Sequence, residues 1–155
     1  MSGVTPVSDG RARPARPGDY DSIAAVIDAW WGRPVLAALP RLFLDHFHGT
    51  SLVIDGPDGL VAFLIGMLSP SEPERAYIHF VGVAPGARGH GLGGALYQDF
   101  FTLARADGRR VVSAVTAPIN SGSIRFHRSM GFTVAGPVAD YNGPGIDLVV
   151  FERPL

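Results

Sequence analysis

The sequence contains no cysteine, which excludes disulfide bonds, thiolate metal ligands and a cysteine nucleophile. It also contains no lysine, because all 13 basic side chains are arginine. No apolar run approaches the roughly 20 residues of a membrane-spanning helix. The formal net charge is −1, so no strong field attracts nucleic acid or an anionic membrane. These absences favour a cytoplasmic protein with neither nucleic acid nor a membrane as partner, and no motif indicates a metal site.

The length of 155 residues suits one domain with one core. Residues 1–10 are small, polar and turn-forming, and they lack the apolar core of a signal peptide. We therefore predict a flexible tail over residues 1–10 and a single domain over residues 11–155.

Residues 88–94, Arg-Gly-His-Gly-Leu-Gly-Gly, hold four glycines in seven positions. They lie between an extended apolar run, residues 76–83, and a helical pattern that starts at Leu92. Glycine loses more backbone entropy on folding than other residues, so a cluster of glycines indicates that the backbone must approach another group closely. Free N–H groups at a helix N-terminus favour an anion such as phosphate. The stretch predicts a phosphate-binding loop.

Two familiar phosphate loops fit this stretch poorly. A Walker loop needs a lysine after its last glycine, and the chain has none. Gly89, Gly91 and Gly94 match the dinucleotide pattern G-x-G-x-x-G literally. That fingerprint also needs an acidic residue about 20 positions on, yet no Asp or Glu occurs between Asp107 and Asp140. The dinucleotide match is therefore weak evidence.

A third comparison fits the loop. Val83-Ala84-Pro85 followed by residues 88–93 resembles the acyl-CoA loop of the GCN5-related N-acetyltransferases (GNAT). The family pattern is Gln or Arg, two residues, Gly, one residue, then Gly or Ala. Arg88, Gly91 and Gly93 stand at its fixed positions. The resemblance implies that backbone amides of this loop bind the pyrophosphate of coenzyme A.

A second segment strengthens the resemblance. The β-branched run 111–116 predicts a strand, and a helix is predicted over residues 120–130, with Asn120 or Ser121 as its cap. The family shows Asn, a small residue three positions on, Phe-Tyr and then Gly-Phe. Here the corresponding residues are Asn120, Ser123, Phe126-His127 and Gly131-Phe132. The resemblance covers residues 11–155 and is sharpest from 76 to 132.

The remaining pattern predicts elements in an order that matches the family fold. Asp19 is expected to cap a helix that Gly32 ends, and residues 35–48 read as a second helix with a kink or boundary at Pro40. Residues 51–54 and 60–68 read as a hairpin. The expected fold is an α/β (α+β) sandwich, in which four helices flank a mixed, mostly antiparallel sheet of about six to seven strands.

The resemblance also assigns the donor site, with acetyl-CoA as the cofactor. The backbone of Val81 and Val83 would hold the pantetheine arm and orient the thioester, Asn120 would bond the arm, and Phe126 would pack beside it. The full set of predicted cofactor contacts is Val81, Val83, Arg88, Gly89, His90, Gly91, Leu92, Gly93, Gly94, Asn120, Ser123 and Phe126.

Two histidines are candidates for proton transfer. The family usually has tyrosine where this chain has His127, and that tyrosine is thought to protonate the leaving thiolate. Histidine could do so as imidazolium, and the alternative is a half-buried histidine satisfied by backbone. His79 shares a strand face with Val81 and Val83, which makes it a weaker candidate for the general base. Its alternative is packing among aromatic neighbours.

The acceptor site is expected near the N-terminal helices and the loop 139–145. Trp30, Trp31, Arg33 and Tyr141 are its weak candidates. Adjacent tryptophans are not expected to both face the core from one helix, so one of them could line a cleft. The alternative is an aromatic residue at the helix end that covers the edge of the core.

The sequence predicts an N-acetyltransferase that moves an acetyl group from acetyl-CoA to a primary amine by direct attack. The acceptor, a small molecule or a peptide, is not identified, and a homodimer is possible because the family often forms one. The alternative is a domain of the same fold that binds or senses acyl-CoA with little turnover. The histidine at position 127 keeps that alternative open.

Overall fold

The structure is a computed structural model and describes residues 11–155. The tail predicted for residues 1–10 lies outside these described residues. Apart from short 3₁₀ turns, the order of elements is strand, two helices, three strands, helix, strand, helix and two strands. The helices are α1 Asp19–Trp31, α2 Leu42–Phe47, α3 Leu92–Ala106 and α4 Ser121–Ser129, and the strands are β1 Arg13–Pro14, β2 Leu52–Gly56, β3 Gly59–Leu68, β4 Arg75–Val83, β5 Val111–Thr116, β6 Thr133–Val138 and β7 Leu148–Pro154.

The strands of the described chain form one seven-stranded sheet in the order β1-β2-β3-β4-β5-β7-β6. β2 pairs antiparallel with β1 and β3, and β7 pairs antiparallel with β5 and β6. β4 and β5 are parallel, with Arg75 opposite Val111 and Tyr77 opposite Ser113. The predicted mixed, mostly antiparallel sheet with four helices is confirmed.

The described residues group into two compact units, 11–67 with 80–103 and 68–79 with 104–155. In the first unit the core cluster gathers α1 and the first strands, with Ile23, Ile27, Phe63 and Ile65 fully buried. The spacing of Ile23 and Ile27 places both on one helical face. In the second unit Phe132 and Phe151 are buried. That residues 11–155 form one domain stays a prediction.

The helix predicted for residues 35–48 is interrupted, and the boundary predicted at Pro40 is confirmed, whereas the part before Pro40 is not an α-helix. A 3₁₀ turn at Leu36–Ala38 comes first, and α2 begins only at Leu42. Pro40 explains the break, because a proline disfavours helical backbone in the residue before it. Leu39 accordingly has φ −130° and ψ 74°. Asp28 also favours the separate turn, since its Oδ1 accepts hydrogen bonds from the N–H groups of Val35 and Leu36.

The predicted cap at Asp19 is also wrong. Gly18 occupies the cap position and makes no side-chain cap bond, while Asp19 is the first residue of α1. The Asp19 carboxylate accepts instead from the guanidinium of Arg13 at 2.8 Å and from the N–H of Arg16 at 2.7 Å. The bond from Arg13 lowers the pKa of Asp19 despite partial burial. The carboxylate thus ties β1 to the start of α1.

Candidate active site

The glycine loop follows the end of β4. Val83 ends the strand, a 3₁₀ turn spans Pro85–Ala87, and α3 begins at Leu92. Gly89 has φ 82° and Gly91 has φ 77°, a conformation that residues with a Cβ rarely adopt. A Cβ at either position would meet no described atom within 4 Å. Backbone conformation, rather than packing within the protein, therefore requires glycine at both positions.

The loop leads into the N-terminus of α3, which is 15 residues long. Ala95 donates its N–H to the carbonyl of Gly91 at 3.0 Å, and this bond opens the helix. The preceding N–H groups, of Leu92, Gly93 and Gly94, have no acceptor within the helix. Together with the helix dipole they suit an anion, and residues 88–91 are exposed to solvent.

The side chain of Arg88 contacts two backbone carbonyls. Its Nε donates to the carbonyl of Val83 at 3.2 Å, and its Nη2 donates to the carbonyl of Trp30 at 2.6 Å. The guanidinium thus joins the start of the loop to the ends of β4 and α1. His90, inside the same loop, is exposed.

Gly82 is a residue of this region that the sequence reasoning missed. A Cβ on Gly82 would lie 2.7 Å from the ring of Phe63 and 2.9 Å from the ring of Trp31. Only glycine lets these aromatic rings rest on β4 between Val81 and Val83. The sequence does show an isolated glycine within the apolar run 76–83, and such a glycine in a strand indicates a bulge or a close approach of another group.

The expectation that only one of the adjacent tryptophans faces the core is wrong. Both pack against the core cluster, with ring centroids 6.0 Å (Trp30) and 6.2 Å (Trp31) from Phe63. They stand in the last turn of α1, where the helix ends at Gly32, and both remain partly exposed.

In the second unit, Tyr77 and His79 form a pair on one face of β4. The Tyr77 hydroxyl lies 3.1 Å from Nδ1 of His79. Both side chains are half-buried, whereas Ala76 and Ile78 point into the protein. Burial, and to a smaller degree Tyr141, raises the pKa of Tyr77, so the phenol is neutral at pH 7. Tyr77 was not among the predicted site residues, although alternation along the strand places it beside His79.

Asn120 caps α4, and its predicted cap is confirmed. Its Oδ1 accepts from the N–H of Ser123 at 3.2 Å, and its Nδ2 donates to Oγ1 of Thr116 at 3.2 Å. The amide group has a second lone pair and a second N–H beyond these two bonds. Asn120 can therefore hold the helix and still bond a ligand.

His127 lies in an aromatic cluster and is 4% exposed. Its ring stacks on Phe151 with centroids 4.0 Å apart and planes 4° from parallel. Phe126 and Phe132 meet it edge-on. Its Nδ1 lies 2.7 Å from the carbonyl of Ser123, and because a carbonyl only accepts, Nδ1 carries a proton.

Burial lowers the pKa of His127, although the bond to Ser123 opposes the shift. The ring is therefore neutral at pH 7, and its one proton is on Nδ1. Nε2 is then an acceptor rather than a donor.

The predicted site residues divide between the two units. The first unit contains the loop and the end of α1, and the second contains both catalytic candidates. Arg33 is exposed, and Tyr141 is 51% exposed. The first set is Trp30, Trp31, Arg33, Val81, Val83 and residues 88–94, and the second is His79, Asn120, Ser123, Phe126, His127 and Tyr141.

Within residues 11–155, no group of three or more His, Asp and Glu side chains is placed to hold a metal ion. Among the same residues, every helix is too short or too polar to cross a membrane.

The chain is similar to several named acetyltransferases. It is 38% identical over 95 residues to a phosphinothricin N-acetyltransferase of Streptomyces coelicolor, covering 56% of this chain and 55% of that one. It is 32% identical over 83 residues to an L-2,4-diaminobutyric acid acetyltransferase of Nocardia farcinica, covering 54% and 43%. The chain thus spans about half the length of the curated relatives it matches.

A solved structure shares the fold. YncA of Salmonella typhimurium, solved with its cofactor acetyl-CoA, superposes with a TM-score of 0.70 at 23% identity, covering 94% of this chain and 93% of that one. The family model of the GNAT acetyltransferases matches residues 20–132, which include both motifs. With the glycine loop before α3 and the capped helix α4 in place, this chain belongs to the acetyltransferase (GNAT) family.

Proposed function

We propose that this protein transfers an acetyl group from acetyl-CoA to a primary amine. The observation that carries the proposal is the loop 88–94, with left-handed Gly89 and Gly91 opening onto the N-terminus of α3. A pyrophosphate there would accept hydrogen bonds from backbone amides and would complement the helix dipole. Family membership supports acetyl-CoA as the donor that brings this pyrophosphate.

For the acceptor we propose a small amino acid with a free amine. The relatives named above are an acetyltransferase of diaminobutyric acid and one of phosphinothricin. Two accessible groups at the end of α1 suit such a molecule. Arg33 offers a guanidinium that could pair with a carboxylate, and Trp30 and Trp31 beside it offer apolar surface.

Acetyl transfer has three physical requirements. The acceptor ammonium must first lose a proton, since without a lone pair it cannot attack. Its nitrogen then bonds to the thioester carbonyl carbon, and the oxyanion that forms needs donors. The nitrogen gives up its second proton as the amide forms. The carbon–sulfur bond breaks last, and the thiolate leaves with the electron pair and takes up a proton. The backbone of Val81 and Val83 is proposed to orient the thioester.

His79 is proposed as the general base. It is half-buried on the same face of β4 as Val81 and Val83, and Tyr77 contacts its Nδ1. When the ring takes a proton from the ammonium, both nitrogens carry hydrogen, and Nδ1–H can donate to the neutral phenol oxygen. The pair is thus suited to receive a proton, directly or through water, and to stabilise the charge.

The role of His127 as the acid for the thiolate stays a prediction. A neutral ring whose only proton is bonded to the carbonyl of Ser123 is a poor proton donor. The contacts with Phe151 and Ser123 support the alternative, a buried histidine satisfied by backbone. In that case the thiolate receives its proton from water or from a side chain other than His127.

Free-thiol release from acetyl-CoA over a panel of amines tests the proposal. We expect turnover with an amino acid such as 2,4-diaminobutyrate or phosphinothricin, and none with N-acetylphosphinothricin, which lacks a free amine. Coenzyme A binding with no turnover on any amine would favour the acyl-CoA-binding alternative. Failure to bind coenzyme A at all would contradict both. Cytoplasmic location and dimerisation stay predictions.

A further inference from the structure

The end of α1 lacks a cation of its own. Its last turn contains no basic residue, and Gly32 ends it in a left-handed conformation. The last carbonyls of a helix carry partial negative charge and need donors. Arg88 meets this need from 58 residues away in the chain, because its Nη2 donates to the carbonyl of Trp30 at 2.6 Å.

The same guanidinium also contacts the end of β4. Its Nε donates to the carbonyl of Val83 at 3.2 Å. Arginine can make both bonds at once because its donors form a rigid planar fork. Trp31, next to Trp30, packs on β4 over Gly82. One side chain thus joins the end of a helix, the end of a strand and the first residue of the loop.

We infer that Arg88 is a positioning residue that couples the glycine loop to the end of α1. Its side chain is held by two protein carbonyls, while the loop amides are left to bind the phosphates. Occupation of the loop is therefore transmitted to Trp30, Trp31 and Arg33. This inference rests on the proposed role of the loop as the donor site.

A direct role on the phosphates is the competing explanation for the arginine at this position. An ion pair with phosphate would weaken with salt, and removing it would make coenzyme A binding less dependent on salt. Hydrogen bonds to neutral carbonyls would leave the salt dependence of binding unchanged. The two roles therefore differ in a measurable way.

The chain itself provides the probe, because its only two tryptophans are Trp30 and Trp31. Intrinsic fluorescence, excited where adenine does not absorb, thus reports on the end of α1. We would titrate the full chain with coenzyme A and measure affinity independently by calorimetry. The variants are Arg88→Met, Arg88→Lys and, as a matched control on α3, exposed Arg105→Met.

In the wild type and in Arg105→Met, saturating coenzyme A should change the tryptophan emission. In Arg88→Met we expect about fivefold weaker binding, as for the loss of one or two hydrogen bonds, with an unchanged salt dependence. Its fluorescence change at saturation should be less than half that of the wild type. Arg88→Lys should share this loss, because a single ammonium cannot replace the fork.

Three results would overturn the inference. One is a full fluorescence response in Arg88→Met at saturation. Another is a wild type that binds coenzyme A without any change in emission. The third is a flatter salt dependence in Arg88→Met together with wild-type affinity in Arg88→Lys, which would make Arg88 a phosphate ligand. A wild type that does not bind coenzyme A would refute the proposed donor site instead.

Discussion

The two motifs that carry the family resemblance differ in how their side chains are used. In the loop 88–94, residues 88–91 are exposed and two glycines adopt left-handed backbone that nothing in the packing demands. In the segment 120–132, Asn120 caps α4 and His127 is buried among rings. The first presents exposed backbone, on which the proposed donor site depends, whereas much of the second contributes to the fold. A motif match therefore does not make every matched residue a ligand contact.

The largest expected effects concern His79, the proposed base, and His127, the buried histidine of the second motif. We expect His79→Gln to lower kcat/KM for acetyl transfer by about 100-fold, since a general base contributes at least that much. The wild-type profile should rise with pH as the general base loses its proton, and the variant should lose this limb. A steady-state pH profile with 2,4-diaminobutyrate measures both. Unchanged kcat/KM in His79→Gln would remove His79 from the mechanism.

His127→Ala should instead act mainly on stability. Loss of the stacked ring and its bond to Ser123 should cost about 2 kcal/mol of unfolding free energy at pH 7.5. Its kcat should change less than threefold, about 0.7 kcal/mol. Exposed His46→Ala is the control, with an expected effect under about 0.5 kcal/mol. A large loss of kcat without a loss of stability would support the predicted acid role.

The stability effect at His127 should also depend on pH. Burial holds its pKa below the unfolded value of about 6.5, so the fold favours the neutral ring. The stabilisation that the neutral ring provides is fully present above the unfolded pKa, and it is lost as the pH falls toward the folded pKa. Urea denaturation should therefore show a wider gap between wild type and His127→Ala at pH 7.5 than at pH 5.5. A larger stability difference between wild type and His127→Ala at pH 5.5 than at pH 7.5 would contradict a lowered pKa of His127 in the folded protein.

Gly91→Ala tests whether the left-handed backbone of the loop matters for coenzyme A binding. Placing a Cβ at φ 77° costs roughly 1–2 kcal/mol, so coenzyme A should bind about tenfold more weakly by calorimetry. Gly86→Ala is the matched control, because it lies in the preceding turn without a positive φ and has open space. Equal affinity in the two variants would mean that the loop conformation does not matter for binding.

Asn120 gives the smallest expected effect. Asn120→Ala should lose about 1 kcal/mol of stability through the lost cap, and Asn120→Ser should keep most of it. Thermal unfolding measures this difference. If Asn120 also bonds the donor, both variants should bind coenzyme A more weakly, since serine restores the cap but not the amide. Weaker coenzyme A binding in Asn120→Ala alone would mean that only the cap matters.

The sequence predicted the elements that depend on local pattern. β5 was predicted over residues 111–116 and spans Val111–Thr116. A kink or boundary at Pro40 was also predicted, but the 3₁₀ turn before it was not, because it depends on the bonds that Val35 and Leu36 donate to Asp28. In the candidate site, a loop at residues 88–94 was predictable from the local cluster of glycines between a strand pattern and a helix pattern. The contact of Arg88 with Trp30 was not, because it joins residues far apart in the chain.

We propose that the backbone amides of the loop bind the pyrophosphate of the donor. A ¹⁵N amide titration with coenzyme A, and in parallel with its pantetheine fragment, which lacks the phosphates, tests this binding. We predict that the amide signals of Gly89, Gly91, Gly93 and Gly94 shift with coenzyme A and not with pantetheine. Coenzyme A binding that leaves all four signals in place would contradict the account.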